Sequence, residues 1–164
     1  MIDELRLCRD LNIWCAALIS DLKGKQSSAC QCLVSIAESG LCMLGPVQLI
    51  VSWGMLNRLH SVLVEKLGIP SSLAEEYIDQ IREFAEIGPT GDGPQLTLGG
   101  TGVIGLKDEE DAHVLETALA GRAGVLVTSN FKDFVSGSVL NQMSIVEPGK
   151  HAIYRTPNHS FHVV

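Results

Sequence analysis

A single-domain α/β fold, a parallel sheet flanked by helices, is the architecture this sequence predicts, and three observations point to it. Short apolar runs at Leu5-Arg6-Leu7-Cys8, Val47-Gln48-Leu49-Ile50-Val51, Gly124-Val125-Leu126-Val127-Thr128 and Met143-Ser144-Ile145-Val146 alternate with longer segments of helical period, the order that builds strand–helix–strand units. The chain has 164 residues, 46% of them hydrophobic, so it can bury roughly two thirds of its unfolded surface without a disulfide or metal staple. No internal repeat and no linker divides it: residues 1–150 read as one domain, and residues 151–164 as a C-terminal tail, either a further strand or the start of a truncated segment.

The elements follow in order. The first strand candidate, from Leu5, ends at Arg9-Asp10, and a helix from about Asn12 to Leu22 stops at Gly24. Ser27 to Ser39 reads as a second helix, with Cys30, Leu33, Val34 and Ala37 at helical spacing. Gly40 and Gly45-Pro46 break the chain before the β-branched run at 47–51. Trp53 to Leu67 is helical, with Leu56, Leu59, Leu63 and Leu67 on one face, a stripe that reads either as core or as a homodimer surface. Pro70-Ser71-Ser72 opens a helix to about Glu86 that turns Leu73, Tyr77, Ile81 and Phe84 inward. The Gly-rich stretch 88–105 is loop, Asp108 to Ala120 is helix, and a short helix follows the strand at 124–128 from Phe131 or Lys132.

The balance of 12 Lys and Arg against 19 Asp and Glu, a formal charge of −7, argues against broad electrostatic affinity for a polyanion. It leaves room for a nucleic-acid enzyme whose metal ions neutralise phosphate locally. All five cysteines lie between Cys8 and Cys42, without CxxC spacing, so they are expected as structural thiols in a reducing compartment. The first residues lack the basic and apolar regions of a signal peptide, and no apolar run approaches the ~18 residues of a membrane span. The expectation is a soluble, cytoplasmic protein with no membrane partner.

In an open parallel sheet, ligands bind beyond the carboxyl ends of the strands. Asp10 ends the first strand, Asn130 and Asp133 follow the strand at 124–128, and Asp108 and Asp111 open the helix before it. If those two strands are neighbours, the five groups share one edge of the sheet. Clustered carboxylates repel one another in a low-dielectric cleft, and a hard divalent cation, Mg²⁺ or Mn²⁺, keeps them ionised. Each acid also has a plain structural reading: Asp108 suits a helix N-cap with Asp111 in a capping-box position, and Asp133 suits a first helical turn. Asp10 is harder to explain that way, since it stands between an apolar strand and the apolar Ile13-Trp14.

Asp10-Leu11-Asn12-Ile13-Trp14, the acidic helix from Asp108-Glu109-Glu110-Asp111-Ala112 to Leu119, and Val125-Leu126-Val127-Thr128-Ser129-Asn130-Phe131-Lys132-Asp133-Phe134 resemble, in order, three motifs of PIN domains. Ser52 and the helix of Leu56 to Leu63 resemble the segment after that family's second strand. The resemblance implies a Rossmann-like fold and Mg²⁺- or Mn²⁺-dependent cleavage of RNA. It also implies an antitoxin partner, since many members are toxins, and a homodimer. It implies Asp10, Asp111 and Asp133 as catalytic residues and metal ligands, with Asn130 orienting water or a ligand. Thr128, Ser129, Lys132 and Asn12 are then the substrate contacts. Where family members carry a Glu on the helix after strand two, register puts Arg58, or alternatively Asn57. Arg58 is expected as a counter-ion to Asp111 or Asp10, and Asp108 as the replacement ligand.

Gly100-Thr101-Gly102-Val103-Ile104-Gly105 fits a dinucleotide-binding pattern. The acid that should follow about 20 residues on is missing, so no nucleotide cofactor is expected. No P-loop, HExxH or GxSxG sequence occurs.

Overall fold

The computed structural model describes residues 4–43, 45–89, 91, 109–128 and 144–146. Its elements are β1 (Leu5–Arg9), α1 (Leu11–Leu22), α2 (Ala29–Ser39), β2 (Leu41–Cys42), β3 (Gly45–Leu49), α3 (Trp53–Ser61) continued by a π-helical turn (Val62–Lys66), α4 (Ser71–Ile87), α5 (Glu109–Ala120), β4 (Val125–Val127) and β5 (Ser144–Val146). The five strands form one sheet in the order β2-β3-β1-β4-β5. β1 pairs in parallel with β3, Leu7 opposite Leu49, and with β4, Arg9 opposite Val127. β4 pairs in parallel with β5, and only β2 runs antiparallel.

Alternation along the strands separates two cores. Leu7, Val47, Val125 and Val127 pack with Ile13 of α1 and Leu33 of α2. On the other face Cys8 and Leu126 pack with Met55 and Leu59 of α3, Ile81 of α4, and Val114 and Ala118 of α5. Helices therefore cover both faces, as the near-continuous apolar strands require. Local sequence closes the helices. Ser28 and Gln31 form a capping box at the start of α2. Gly40 ends that helix at φ 65°, where a residue without Cβ is unstrained.

Three expectations need correction. Gly45-Pro46 does not break the chain but begins β3, with Leu41 and Cys42 folded back against it as β2. The ladder closes through Val47 N–H to Gly40 O at 2.8 Å. Pro46 thus falls at the non-hydrogen-bonded pair, where its missing N–H removes no bond to β2. The helix from Trp53 does not keep a uniform winding: Leu67 N–H bonds back to Val62 O at 3.1 Å, and this wider turn carries Leu67 off the apolar stripe, leaving it exposed. The stripe itself, Met55, Leu56, Leu59 and Leu63, is buried in the protein's own core, so it offers no dimer surface. On α4 the buried line is Ala74, Tyr77, Ile81 and Ala85, with Leu73 and Phe84 only half-buried. The alanines let the helix approach closely, and Gln48 Nε2 of β3 donates to Ala85 O at 2.9 Å.

Candidate functional site

The chain passes from β1 outward to β3, and later returns to β4 on the opposite side of β1. Strand order reverses at β1, and the crevice beyond its carboxyl end is where open α/β sheets hold ligands. Asp10 is the first residue past that end. Its N–H donates to Val127 O at 2.8 Å, and its carbonyl accepts from Ile13 N–H at 3.1 Å, so the backbone is tied to β4 and to the first turn of α1. It stands at the N-cap position of α1 with φ −61° and ψ 151°, yet its side chain makes no capping bond. Instead its Oδ2 accepts from Thr128 Oγ1 at 2.8 Å. The residue is 2% exposed.

Thr128 is the first residue past β4, fully buried and directly beside Asp10. A hydroxyl has one proton to donate, and that proton is committed to the Asp10 carboxylate. Thr128 positions Asp10.

Two side chains of β1 fix the direction of α5. Arg6 Nε donates to Gly121 O at 2.8 Å, and the Cys8 thiol lies 3.9 Å from Val114 O. The helix therefore runs antiparallel to β1, and its first turn rises toward the carboxyl edge. Asp111 is three residues from Val114, a rise of roughly 4.5 Å. Asp10 is two residues past Cys8, a rise of roughly 6.6 Å. By backbone, then, the first turn of α5 reaches the level of Asp10. The side chain of Asp111, together with Asp108, Ser129, Asn130, Lys132, Asp133, the helix expected after Asn130 and the Gly100–Gly105 pattern, lies outside the described residues. Asn12 is exposed in the first turn of α1. Arg58 is half-buried on α3.

A chain of hydroxyls joins α3 to α5 below this edge. Thr117 Oγ1 donates to His113 O at 2.8 Å, so Ser52 Oγ is the donor in its 2.6 Å bond to Thr117 Oγ1. Ser52 in turn accepts from Met55 N–H and caps α3. The apolar pattern holds no sign of this pairing, because a Thr on a buried helix face reads as a β-branched core residue.

Arg9 carries no such signal either, because a charged residue at a strand's end reads as solvent-facing. It is fully buried on the face opposite Asp10, donates through Nη2 to Leu33 O, and lies 5.2 Å from the centre of the Trp14 ring. Burial lowers its pKa to about 10, against opposing contributions from Cys8 and Tyr77. The Cys8 thiol is pushed up to about 12, chiefly by burial. Cys8 and Cys15 are buried as expected for structural thiols, but Cys32 is exposed on α2.

Among the described residues no three His, Cys, Asp or Glu side chains come together as a metal-binding group. Asp10 is the one proposed ligand whose side chain is described. Its chemistry fits a hard divalent cation: a carboxylate oxygen donor at the open end of the sheet, with one oxygen accepting from the Thr128 hydroxyl. No helix among the described residues is long and apolar enough to cross a membrane.

A family model described as PIN domain matches residues 6–132 of the chain. No curated protein and no solved structure gave a match.

Proposed function

The chain belongs to the PIN domain family, whose members are in general nucleases using divalent metal ions, and from that premise we propose that it is a metal-dependent endoribonuclease. In this reading it hydrolyses RNA phosphodiester bonds in the cytoplasm as the toxin of a toxin–antitoxin pair and acts as a homodimer. Residues 1–150 form its catalytic domain, and 151–164 are an appended tail. The observation that carries the reading is Asp10: a buried carboxylate at the strand-order reversal that declines to cap its helix and is held by Thr128.

Asp10, Asp111 and Asp133, with Asp108 in support, are the residues that would hold Mg²⁺ or Mn²⁺. Such a cation, when bound, supplies a nucleophile at neutral pH by acidifying water and offsets charge on the leaving oxygen. Thr128 keeps one Asp10 oxygen in place while the other elements assemble. Asn130 orients the attacking water, with no basic role. Asn12, Ser129 and Lys132 contact the RNA backbone.

The test is cleavage of single-stranded RNA with Mn²⁺ by wild type and Asp10→Asn. The variant keeps an oxygen for Thr128, so its melting should stay close to wild type, while cleavage should fall by about a hundredfold or more. Full activity in the variant removes this site from the reaction.

A second reading, a catalytically weak or inactive module that binds RNA or a protein partner, is favoured by Arg58 on α3, where the family resemblance calls for a carboxylate. Absence of both Mn²⁺ binding and cleavage in wild type would decide for it.

A further inference from the structure

We infer that Ser52 and Thr117 are positioning residues: linked hydroxyl to hydroxyl, they set the first turn of α5, the turn that carries Asp111, against the end of β1 that carries Asp10. This rests on the nuclease reading, in which those two acids share a cation. Both residues are buried, and their bonds form one directed chain. Met55 N–H donates to Ser52 Oγ at 3.1 Å, Ser52 donates to Thr117 Oγ1 at 2.6 Å, and Thr117 donates to His113 O at 2.8 Å.

What the chain joins gives it this role. Ser52 stands two residues past Ile50, whose N–H donates to Leu7 O of β1 at 2.9 Å, so the chain starts from the strand pair that leads to Asp10. It finishes at His113, two residues after Asp111 in α5. Arg6 holds the far end of α5 through Gly121 O, and the Cys8 thiol, 3.9 Å from Val114 O, is a weak donor. The hydroxyl chain is the stronger of these ties toward the first turn.

Packing alone does not call for two hydroxyls here. Apolar side chains of the same shape would fill the space with little change in stability. They would leave α5 free to slide or turn slightly over α3, whereas a closed chain of hydrogen bonds has one satisfied arrangement. A Thr bonded to the carbonyl four residues back also tends to bend its helix, and here the turn so held, His113 to Thr117, directly follows Asp111. Loss of the link therefore shifts the first turn relative to Asp10 while the core stays packed.

Mn²⁺ binding, followed by the paramagnetic resonance of the free ion beside thermal melting, tests this on the full chain. The variants are Thr117→Val, Thr117→Ser and Ser52→Gly, glycine being an acceptable N-cap for α3. Thr117→Val and Ser52→Gly should each raise the Mn²⁺ Kd about tenfold at a temperature where the protein is folded. Thr117→Ser keeps the hydroxyl and should bind as wild type does. The double variant Ser52→Gly/Thr117→Val should bind no more weakly than either single one, because the two groups act as one link. Should Thr117→Val not fold, Ser52→Gly against Thr117→Ser carries the comparison. Variants that melt lower yet bind Mn²⁺ like wild type, or losses that multiply in the double variant, overturn the inference and leave the nuclease reading intact. Wild type that binds no Mn²⁺ overturns the nuclease reading itself, and the inference with it.

Discussion

Arg9 and Asp10 are neighbours in the chain, both buried, and the fold treats their charges in opposite ways. Arg9 turns to the α2 face. There it meets the Leu33 carbonyl and the Trp14 ring, and among the described residues its Nε and Nη1 have no hydrogen-bond partner. Asp10 turns to the α5 face at the open end of the sheet, where the next strand supplies Thr128 as a donor. Burying an incompletely paired charge destabilises a fold, and the falling pKa of Arg9 expresses that strain. A carboxylate at a strand end, given a donor from the adjacent strand, is held in one orientation at little cost. The comparison teaches that burial of charge alone does not mark a site. What marks it is burial together with a preset donor at an edge a ligand can reach.

The sharpest way to break that comparison is Arg9→Met. Replacing a poorly compensated buried charge with an apolar side chain of similar length is expected to leave stability unchanged or raise it by about 1–4 kcal/mol, with cleavage retained. Chemical denaturation read beside an activity assay checks both. A loss of stability would show the guanidinium to be better satisfied than its protein contacts indicate.

Thr128→Val probes the other side. It removes the donor to a buried carboxylate, a charge-assisted bond contributing about 1.5–3 kcal/mol, and should lower cleavage as Asp10 loses its fixed orientation. Thr128→Ser should restore both. If Thr128→Val melts and cleaves like wild type, Thr128 does not position Asp10.

The smallest effect expected is in alkali, at Cys8 on the same strand. Its folded pKa, about 12, lies above the ordinary thiol value of 9.0. Above pH 9 the unfolded chain releases this proton while the folded chain keeps it, so stability falls as pH rises, by at most about 1.4 kcal/mol per pH unit. The raised pKa of Tyr77 adds a loss of the same sign at higher pH. Arg9 acts oppositely once pH passes about 10, because the folded chain then gives up a proton that the unfolded chain still holds. Between pH 9 and 10 the raised thiols, Cys8 and Cys30, act with the same sign and Arg9 does not yet oppose them. Cys8→Ala should show a flatter stability profile there, and an identical slope would place the thiol in contact with water.

Much of the fold can be read from pattern. The alternation of apolar strands with helices, and the break at Gly40, act through neighbours a few residues away, which is why local spacing reveals them. The two-residue β2 has no period to detect. The π-helical turn at Val62–Lys66 and the rotation of α4 onto its alanines arise from how helices press together. Among the site residues, Asp10 was legible because an acid directly after an apolar strand is conspicuous. The role of Thr128 was not, since its partner lies 118 residues away.

Composition and periodicity were enough to establish an α/β chain, the sides of its strands, and the acid at the end of β1. They say which face a side chain takes but not which strand lies beside it. Setting β4 against β1, and so Thr128 against Asp10, and closing the α2 face over Arg9, required the assembled sheet, because contacts between distant segments depend on how whole elements pack and leave no trace in local spacing.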